Sequence, residues 1–296
     1  MSVTLAELTS TTARQPRILT YASEIHALVR AARQAGKSIG LVPTMGAIHA
    51  GHLSLVEASV RDCDLTVATI FVNPTQFGQG EDLSHYPRSE VMDVKRLSEW
   101  NVDVVFIPQK GEMYPPGFST YVKPPEVAAP LEGRCRPGHF QGVTTIVLKL
   151  FQLIPADIAY FGQKDYQQSL VIRHMVQDLN IPTRVFVCPT VRDASGIALS
   201  SRNDYLTADE QQQAKALSQS LRVAAELVQQ GQRDAAAIAA RMRQVFADAG
   251  VVHVDYISLA DPESLGEVQH ITQPTMALVA ARIGNTRLID NELLTP

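Results

Sequence analysis

A pair of histidines three residues apart is the first feature of this sequence that could perform chemistry. His49 and His52 lie in the segment P-T-M-G-A-I-H-A-G-H, which follows an apolar run and opens a helix-like pattern. Imidazoles at this spacing project from one face of a first helical turn, where they can bind phosphate and neutralise charge on a departing group. Gly46 would let the backbone approach a ligand closely, and Gly51 would let the chain turn into the helix. The alternative is a pair of surface or capping histidines.

A second group of polar residues follows the next apolar run, in the segment F-V-N-P-T-Q-F-G that spans residues 71–78. Asn73, Thr75 and Gln76 place amide and hydroxyl groups where Pro74 would end a strand. Such neutral groups can hydrogen-bond a carboxylate or a hydroxyl without a change of proton state. A polar turn that caps a strand is the alternative.

A third segment, F-G-Q-K-D-Y-Q-Q over residues 161–168, combines a cation, a carboxylate and amides at another strand-to-helix junction. Lys164 is a compact charge suited to phosphate, and Asp165 could cap the helix or hold a cation or a ribose hydroxyl. Gly162 would give access to the backbone, and Gln168 lies one helical turn further on. On its own, the segment could equally be a well-capped helix start.

Two further segments contain arginine among small residues. Residues 198–203 (A-L-S-S-R-N) present two hydroxyls and one guanidinium in an element that suits either phosphate or a surface loop. Residues 131–140 (L-E-G-R-C-R-P-G-H-F) form a Gly- and Pro-rich loop with three basic side chains: Arg134, Arg136 and His139. This loop is either a basic lid over a site or a solvated loop.

Several familiar motifs are absent from the sequence. It contains no G-x-x-x-x-G-K-[ST] phosphate loop, no G-x-G-x-x-G turn and no G-x-S-x-G nucleophile elbow. The two histidines lack the H-E-x-x-H pattern or the cysteine partners of a zinc site. Spacing alone therefore predicts no metal site.

The composition excludes some classes of function. Thirty acidic and 26 basic residues give a net charge of −4, so nothing favours binding to nucleic acid or to anionic membranes. No run of about 18 apolar residues and no signal-like N-terminal segment is present, so we expect neither a membrane span nor secretion. Three dispersed cysteines (Cys63, Cys135 and Cys188) fit a reducing compartment, so we expect a cytoplasmic protein.

Apolar periodicity predicts the elements that must position these side chains. Up to about residue 188 we predict helices at residues 23–35, 51–62, 89–100, 144–153 and 167–179. Over the same part we predict strands at residues 38–42, 65–72, 102–107, 158–161 and 183–187. Helices that alternate with strands in this way are typical of βαβ units and predict an α/β fold with a parallel sheet.

The pattern changes after residue 188. Two Ala- and Gln-rich helices are predicted at residues 208–230 and 233–249, the first behind a capping signature at Thr207 and Glu210. Three strands are predicted next, at residues 252–259, 275–282 and 286–290. We therefore expect a first domain over residues 1–188 and a smaller α+β domain over residues 189–296.

Taken together, the five polar segments resemble the motifs of the pantoate–β-alanine ligase (pantothenate synthetase) family. P-T-M-G-A-I-H-A-G-H is similar to the family's adenylating motif, a relative of the H-I-G-H element of nucleotidyltransferases and class I aminoacyl-tRNA synthetases. The other blocks, F-V-N-P-T-Q-F, L-E-G-x-x-R-P-G-H-F, F-G-Q-K-D-Y-Q-Q and L-S-S-R-N-x-Y-L, match in order over about residues 18–290. Gln163 departs from the Glu of many members, whereas Leu199 lies within the family's variation.

The resemblance implies a fold and an activity. The fold would be a Rossmann-like doubly wound parallel sheet with a smaller C-terminal α+β lid domain. The activity would be ATP-dependent condensation of (R)-pantoate with β-alanine through a pantoyl adenylate, with Mg²⁺ and with release of AMP and pyrophosphate. The family further implies a homodimer.

The resemblance also assigns roles to matching positions. Catalytic roles fall to His49, His52, Lys164, Ser200, Ser201 and Arg202, with His49 as the suspected proton donor. ATP contacts fall to Met45, Gly46, Ala47, Ile48, His49, Ala50, Gly51, His52, Gly162, Gln163, Lys164, Asp165, Val191, Leu199, Ser200, Ser201 and Arg202. Contacts with pantoate and β-alanine fall to Pro43, Thr44, Met45, Gln76 and Gln168. The ligands of Mg²⁺ are left open.

Two alternative functions stay open at this point. One is another nucleotidyltransferase of the same superfamily with a different acid or phosphate substrate, and Gln76 and Gln168 argue against it. The other is a module that binds ATP without turnover, which the presence of all five blocks disfavours.

Overall fold

Six parallel strands form the central sheet of the computed structural model, which describes residues 15–78, 81–84, 86–87 and 89–296. In chain order they are β1 (Arg17–Leu19), β2 (Ile39–Thr44), β3 (Leu65–Ile70), β4 (Val104–Phe106), β5 (Ile158–Gly162) and β6 (Arg184–Cys188). Across the sheet their order is β1-β4-β3-β2-β5-β6, and every pairing is parallel. The predicted parallel α/β sheet is confirmed.

Helices cover both faces of this sheet. They are α1 (Ala22–Gln34), α2 (Ala50–Asp62), α3 (Glu90–Ser98), α4 (Lys110–Met113), α5 (Glu132–Cys135), α6 (His139–Leu153) and α7 (Tyr166–Asp178). Leu41 packs in the core that α1, α6 and α7 share, whereas its neighbour Val42 packs in the core with α2 and α3. Burial on both faces explains why the strand segments read as continuous apolar runs.

The chain changes direction across the sheet between β2 and β5. It adds β3 and β4 on one side of β2 and then returns to add β5 and β6 on the other side. Loops that leave neighbouring strands on opposite sides open a crevice at the carboxyl ends of those strands. The histidine segment follows β2 and the Lys164 segment follows β5, so this topology brings the two segments to one place.

The C-terminal part adds a second sheet and two helices. The helices are α8 (Ala208–Gln229) and α9 (Ala235–Asp248), and the antiparallel strands are β7 (His253–Ala260), β8 (Thr275–Ile283) and β9 (Thr286–Leu294). Thr207 and Glu210 form the predicted capping box of α8. Met276 and Leu278 of β8 pack in the core of the first sheet, so the two sheets share apolar contacts. The smaller α+β unit is confirmed, and its boundary near residue 188 remains a prediction.

Two differences from the predicted elements matter. The short strand β1, which pairs with β4, was not predicted, because three residues are too few to show periodicity. Helix α6 begins at His139, five residues before the predicted start, so His139 is not a loop residue. Gly138 precedes the helix with φ of 84°, and the Pro-Gly pair that predicted a loop is instead the turn that opens the helix. No helix in the described part of the chain is long and apolar enough to cross a bilayer.

Candidate active site

One cavity lies at the carboxyl ends of β2, β3 and β5 and is closed on another side by residues 189–191 and 199–202. Most of the predicted site residues line it: Pro43, Thr44, Met45, His49, Gly51, His52, Gln76, Gly162, Lys164, Asp165, Gln168, Val191, Leu199, Ser200, Ser201 and Arg202. Five predicted ATP contacts do not line it: Gly46, Ala47, Ile48, Ala50 and Gln163. We call this space the central cavity.

The two histidines begin helix α2 as a reciprocal cap. His49 is the N-cap residue, and its Nδ1 accepts the N–H of Gly51 at 3.1 Å. Nδ1 of His52 accepts the N–H of His49 at 3.4 Å, and the ring centroids are 4.1 Å apart. A Cβ at Gly51 would lie 2.9 Å from the ring of His49, so a side chain at this position would displace that ring. Because each Nδ1 accepts, each neutral ring carries its proton on Nε2.

Both imidazoles are held neutral. Burial, reinforced by the charge of Lys164, lowers the pKa of His49 to about 4. Burial, the neighbouring His49 and Lys164 lower the pKa of His52 to about 3. At neutral pH the pair therefore offers Nε2–H hydrogen-bond donors rather than imidazolium charges.

The backbone before His49 is already satisfied. The N–H groups of Ala47 and Ile48 donate to the carboxylate of Asp93, at 2.9 and 2.8 Å. The N–H of Gly46 donates to Oγ1 of Thr44 at 3.1 Å. Gly46 has φ of 85°, and a Cβ there would meet Asp93 rather than the central cavity. The glycine therefore serves the turn and its contact with Asp93, and a close approach of its backbone to a ligand remains a prediction.

An amide shelf follows β3. Asn73 donates from Nδ2 to Oε1 of Gln76 and to the carbonyl of Gly142, both at 3.1 Å. Gln76 in turn donates from Nε2 to the thioether sulfur of Met45 at 3.1 Å, and its carbonyl accepts from Nδ1 of His139 at 2.8 Å. These contacts fix the Gln76 side chain at the cavity wall, where it can bind a carboxylate or hydroxyl.

The segment after β5 provides a cation and a carboxylate. Lys164 and Asp165 lie at the cavity wall, in a 3₁₀ turn over Gln163–Asp165. Nζ of Lys164 is 3.9 Å from Oδ1 of Asp165. Asn291 of β9 donates from Nδ2 to the carbonyls of Gln163 and Lys164, both at 2.9 Å. Asp165 occupies the N-cap position of α7 without a side-chain capping bond, and its side chain is 47% exposed. Its carboxylate therefore remains available to a cation or hydroxyl.

The Ser200–Arg202 segment is in direct contact with an acidic residue that does not line the central cavity. The guanidinium of Arg202 binds both oxygens of Asp82, at 2.9 and 3.0 Å. Burial opposes the ionisation of Asp82, but the hydrogen bonds and charge of Arg202 outweigh it and hold the pKa of the carboxyl below its usual value. Oγ of Ser201 lies 3.4 Å from the hydroxyl of Tyr86. Asp82 and Tyr86 were not predicted, because they lie between the predicted elements.

The basic loop divides between the site and the solvent. Arg136 binds Glu81 at 2.8 and 2.7 Å and donates from Nη1 to Nε2 of His139 at 3.2 Å. His139 is 6% exposed, and burial together with Arg136 lowers its pKa to about 4. Arg136 and His139 line the central cavity, whereas Arg134 is exposed. Neither of the two predicted alternatives describes the whole segment.

The fold and the cavity define the class: a doubly wound α/β protein whose central cavity lies at the switch point of its parallel sheet. The model of the pantoate–β-alanine ligase family matches residues 17–293. The chain therefore belongs to the pantoate–β-alanine ligase family.

Similar proteins support this membership over nearly the whole chain. The pantothenate synthetase of Roseiflexus castenholzii is 51% identical over 266 residues, which cover 90% of this chain and 96% of that protein. The pantothenate synthetase of Thermotoga neapolitana is 48% identical over 94% of this chain and 99% of its own length.

Solved structures show the same fold. The crystal structure of pantothenate synthetase from Thermus thermophilus has a TM-score of 0.90 and 41% identity, and covers 95% of this chain and 100% of its own. The pantoate–β-alanine ligase from Francisella tularensis, complexed with beta-gamma ATP and beta-alanine, has a TM-score of 0.77 and 35% identity. That match covers 94% of this chain and 97% of the Francisella chain.

Proposed function

We propose that this chain joins pantoate to β-alanine at the expense of ATP, through a pantoyl adenylate, with release of AMP and pyrophosphate. The observation that carries the proposal is the composition of the central cavity. One space brings together the donors His49 and His52, the amides of Gln76 and Gln168 and the cation of Lys164. Family membership supplies the identity of the acid and the amine.

In the first step a pantoate carboxylate oxygen attacks the α-phosphorus of ATP, and the bond from that phosphorus to the bridging oxygen breaks. Negative charge builds up on the departing pyrophosphate. Lys164 and Arg202 supply positive charge at the cavity wall, and the two imidazoles supply neutral N–H donors. Preorganised donors and cations of this kind lower the barrier to phosphoryl transfer. His49 therefore acts as a hydrogen-bond donor to phosphate rather than as a resident imidazolium acid.

In the second step the amine of β-alanine attacks the acyl carbon of the adenylate. The C–O bond to AMP breaks, the amine loses a proton and the amide of pantothenate forms. The adenylate makes this step possible because AMP is a far better leaving group than oxide. Gln76 and Gln168 hold pantoate through neutral amides, and Asn73 keeps Gln76 in place.

The donor set of the cavity fits the Mg²⁺ that the family implies. Among the described residues there is no group of three or more acidic, histidine or cysteine ligands. Mg²⁺ usually binds one or two carboxylates and completes its shell with water and substrate phosphates. Asp165, exposed at the wall beside Lys164, is the residue that would hold it. When bound, Mg²⁺ would neutralise phosphate charge.

The proposal also covers the division into domains, the role of the Ser200–Arg202 segment, and the location and oligomeric state of the protein. Residues 1–188 would form the catalytic domain and residues 189–296 the lid domain, because the parallel sheet ends with β6 at Cys188. Ser200–Arg202 would then grip the phosphates from the lid side. A homodimer is inferred from the family and a cytoplasmic location from the three dispersed cysteines, and sedimentation analysis of the purified chain tests the dimer.

Pyrophosphate exchange tests the reaction without the amine. With ATP, Mg²⁺ and labelled pyrophosphate, we expect label to enter ATP when pantoate is present. Other small hydroxy acids of similar size are expected to support little exchange. Exchange with one of those acids and none with pantoate would overturn the proposed substrate, and exchange without any acid would overturn the adenylation step.

A further inference from the structure

The carboxylate of Asp93 lies outside the central cavity and yet binds the turn that leads to His49. Asp93 is on α3, none of whose residues lines the cavity, and it is 2% exposed. Its two oxygens accept the N–H groups of Ala47 and Ile48, at 2.9 and 2.8 Å. A buried carboxylate that accepts two backbone N–H groups is an anchor for that backbone.

The anchored turn has a conformation that needs support. Gly46 and Ala47 have φ of 85° and 50°, so two successive residues are left-handed. Glycine adopts this conformation readily, but a residue with a Cβ does so at a cost that the surrounding structure must offset. The two hydrogen bonds that the backbone donates to Asp93 supply that support at Ala47 and at the residue after it.

Arg96 completes the anchor from the same face of α3. It lies one helical turn after Asp93 and donates from Nη1 to the carbonyl of Ile48. The N–H and the C=O of Ile48 are therefore both held by α3, and the Ile48 side chain is fully buried. The next residue is His49, whose own N–H donates to His52. The position of the catalytic pair thus depends on contacts made by α3.

We propose that Asp93 and Arg96 are positioning residues that act on the reaction through His49. They hold residues 46–48 so that the imidazole of His49 enters the cavity as a fixed Nε2–H donor. The inference rests on the proposed adenylation chemistry. Pyrophosphate exchange by the wild-type chain tests that chemistry on its own, whereas the variants below are compared with the wild type.

The Asp93→Asn substitution tests the carboxylate. Asparagine keeps the size but replaces one acceptor oxygen by an NH₂ group that faces a backbone N–H. We expect kcat for pantoate-dependent exchange to fall about 10²-fold, the scale of a small misplacement of a catalytic group, with KM for pantoate little changed. Asp103→Asn is the control. The Asp103 carboxylate also accepts a backbone N–H, that of Thr66 at 2.9 Å, but it does not line the cavity. An Asp93→Asn rate equal to that of the control overturns the proposal.

A double-variant cycle separates positioning from general destabilisation. If Asp93 acts through His49, Asp93→Asn should cause little further loss in a His49→Ala background. If the rate loss of the double variant equals the product of the losses of the two single variants, the proposal is overturned. Ring ¹⁵N NMR of the ligand-free protein gives a readout that needs no substrate. We expect the Nε2–H form of His49 in the wild type and a mixture of tautomers in Asp93→Asn, and identical tautomers in both would count against it.

Arg96→Met keeps the proposal testable if Asp93→Asn does not fold. Arg96 is exposed, so its replacement leaves the core intact. We expect a roughly 10-fold lower kcat in the wild-type background and no further loss with His49→Ala, because only one end of Ile48 is released. Lys95→Met, the neighbouring exposed substitution, is the matched control and should behave as the wild type. Equal rates for Arg96→Met and Lys95→Met overturn the proposal.

Discussion

At the scale of single residues, the histidine pair gains its chemistry from what its ring nitrogens already bind. Each Nδ1 accepts a backbone N–H, so each ring presents Nε2–H as a donor. The lowered pKa values of His49 and His52 keep these donors neutral in the ligand-free protein. In the proposed adenylation step their contribution would be directional hydrogen bonding to phosphate, whereas Lys164 and Arg202 would supply fixed charge.

Replacement of His49 tests this role. His49→Ala removes one donor from the phosphate site, and we expect adenylate formation to fall ~10²-fold or more. The rate is measured by pyrophosphate exchange with saturating pantoate. His26→Ala, an exposed histidine on α1, is the control. An unchanged rate in His49→Ala would remove His49 from the catalytic group.

His139 makes the stability of the protein depend on pH. It donates from Nδ1 to the carbonyl of Gln76 and accepts from Arg136 at Nε2. A proton added to Nε2 would therefore face an N–H of Arg136, which is also a donor. Burial and Arg136 lower its pKa to about 4. Between pH 6.5 and about 4 the unfolded chain therefore binds a proton that the folded chain does not, and stability falls as the pH is lowered.

The His139→Gln substitution should make that decline shallower. Glutamine keeps a donor and an acceptor but does not titrate. The melting temperature of the variant should therefore fall less between pH 6.5 and 4 than that of the wild type. Thermal melts at several pH values measure the slope. His253→Gln on β7, where the side chain is exposed, provides a comparison. A slope in His139→Gln as steep as that of the wild type would contradict the assignment.

At the scale of elements, strand β9 holds the turn that follows β5 of the other sheet. Asn291 donates both amide protons to the carbonyls of Gln163 and Lys164. It is 3% exposed, so water does not replace those bonds readily. The smaller unit therefore contributes to the central cavity by fixing the backbone that carries Lys164.

Loss of the Asn291 amide should weaken ATP binding. Asn291→Ala removes two hydrogen bonds of about 1 kcal/mol each, and the freed turn lets Lys164 move. We expect KM for ATP to rise about tenfold, which corresponds to about 1.4 kcal/mol. Steady-state kinetics measure the change, with Asn285→Ala in the exposed turn before β9 as the matched control. Equal KM values for the two variants would contradict the role of Asn291.

Asp82 engages the guanidinium of Arg202, which is a cation that the phosphates of ATP would bind. The phosphates of ATP would have to displace the Asp82 carboxylate from the Arg202 guanidinium, or share that guanidinium with it. Asp82→Asn should therefore lower KM for ATP about fivefold, equivalent to the roughly 1 kcal/mol of a partly exposed pair. Glu263→Gln, which removes the partner of exposed Arg173, is the control. A higher KM in Asp82→Asn would show that Asp82 assists binding instead.

At the scale of the whole molecule, a buried ion pair joins helix α5 of the first part to the second sheet. Glu132 of α5 accepts from Arg287 of β9 at 2.7 and 2.8 Å and from the hydroxyl of Tyr256 at 2.7 Å. Burial opposes the ionisation of Glu132, but the hydrogen bonds and charge of Arg287 prevail and keep the pKa of its carboxyl low. The pair is 8% and 18% exposed. It lies between elements far apart in sequence and therefore stabilises their packing against each other.

Removal of one partner should be costly, because it leaves the other charge buried. Arg287→Met is expected to lower the free energy of unfolding by about 3 kcal/mol. Arg173→Met breaks a pair that also joins the two parts of the chain but is exposed, and it should cost less than about 1 kcal/mol. Urea unfolding measures both values. Similar losses in the two variants would show that the Glu132–Arg287 pair contributes no more than a surface pair.

The sequence by itself determined the elements and most of the residues of the cavity. Continuous apolar runs and helical patterns are local, and β2, β3, β5 and the helices after them lie close to their predicted positions. The histidine, Gln76 and Lys164 segments were found because each follows the end of a strand, where side chains are free to bind ligands. The Ser200–Arg202 segment was found from its two hydroxyls and its guanidinium.

Only the tertiary structure decided which groups support those residues and which stay available to a ligand. Asp93, Asn291 and Asp82 are distant in sequence from the groups they bind, and nothing local in a helix or strand predicts such a partner. The neutral state of His49 and His52 likewise depends on burial and on Lys164. Lys164 lies near them because β5 is the neighbour of β2 in the sheet. Desolvation and long-range hydrogen bonds arise only when the sheets pack, so residue type and spacing could not reveal them.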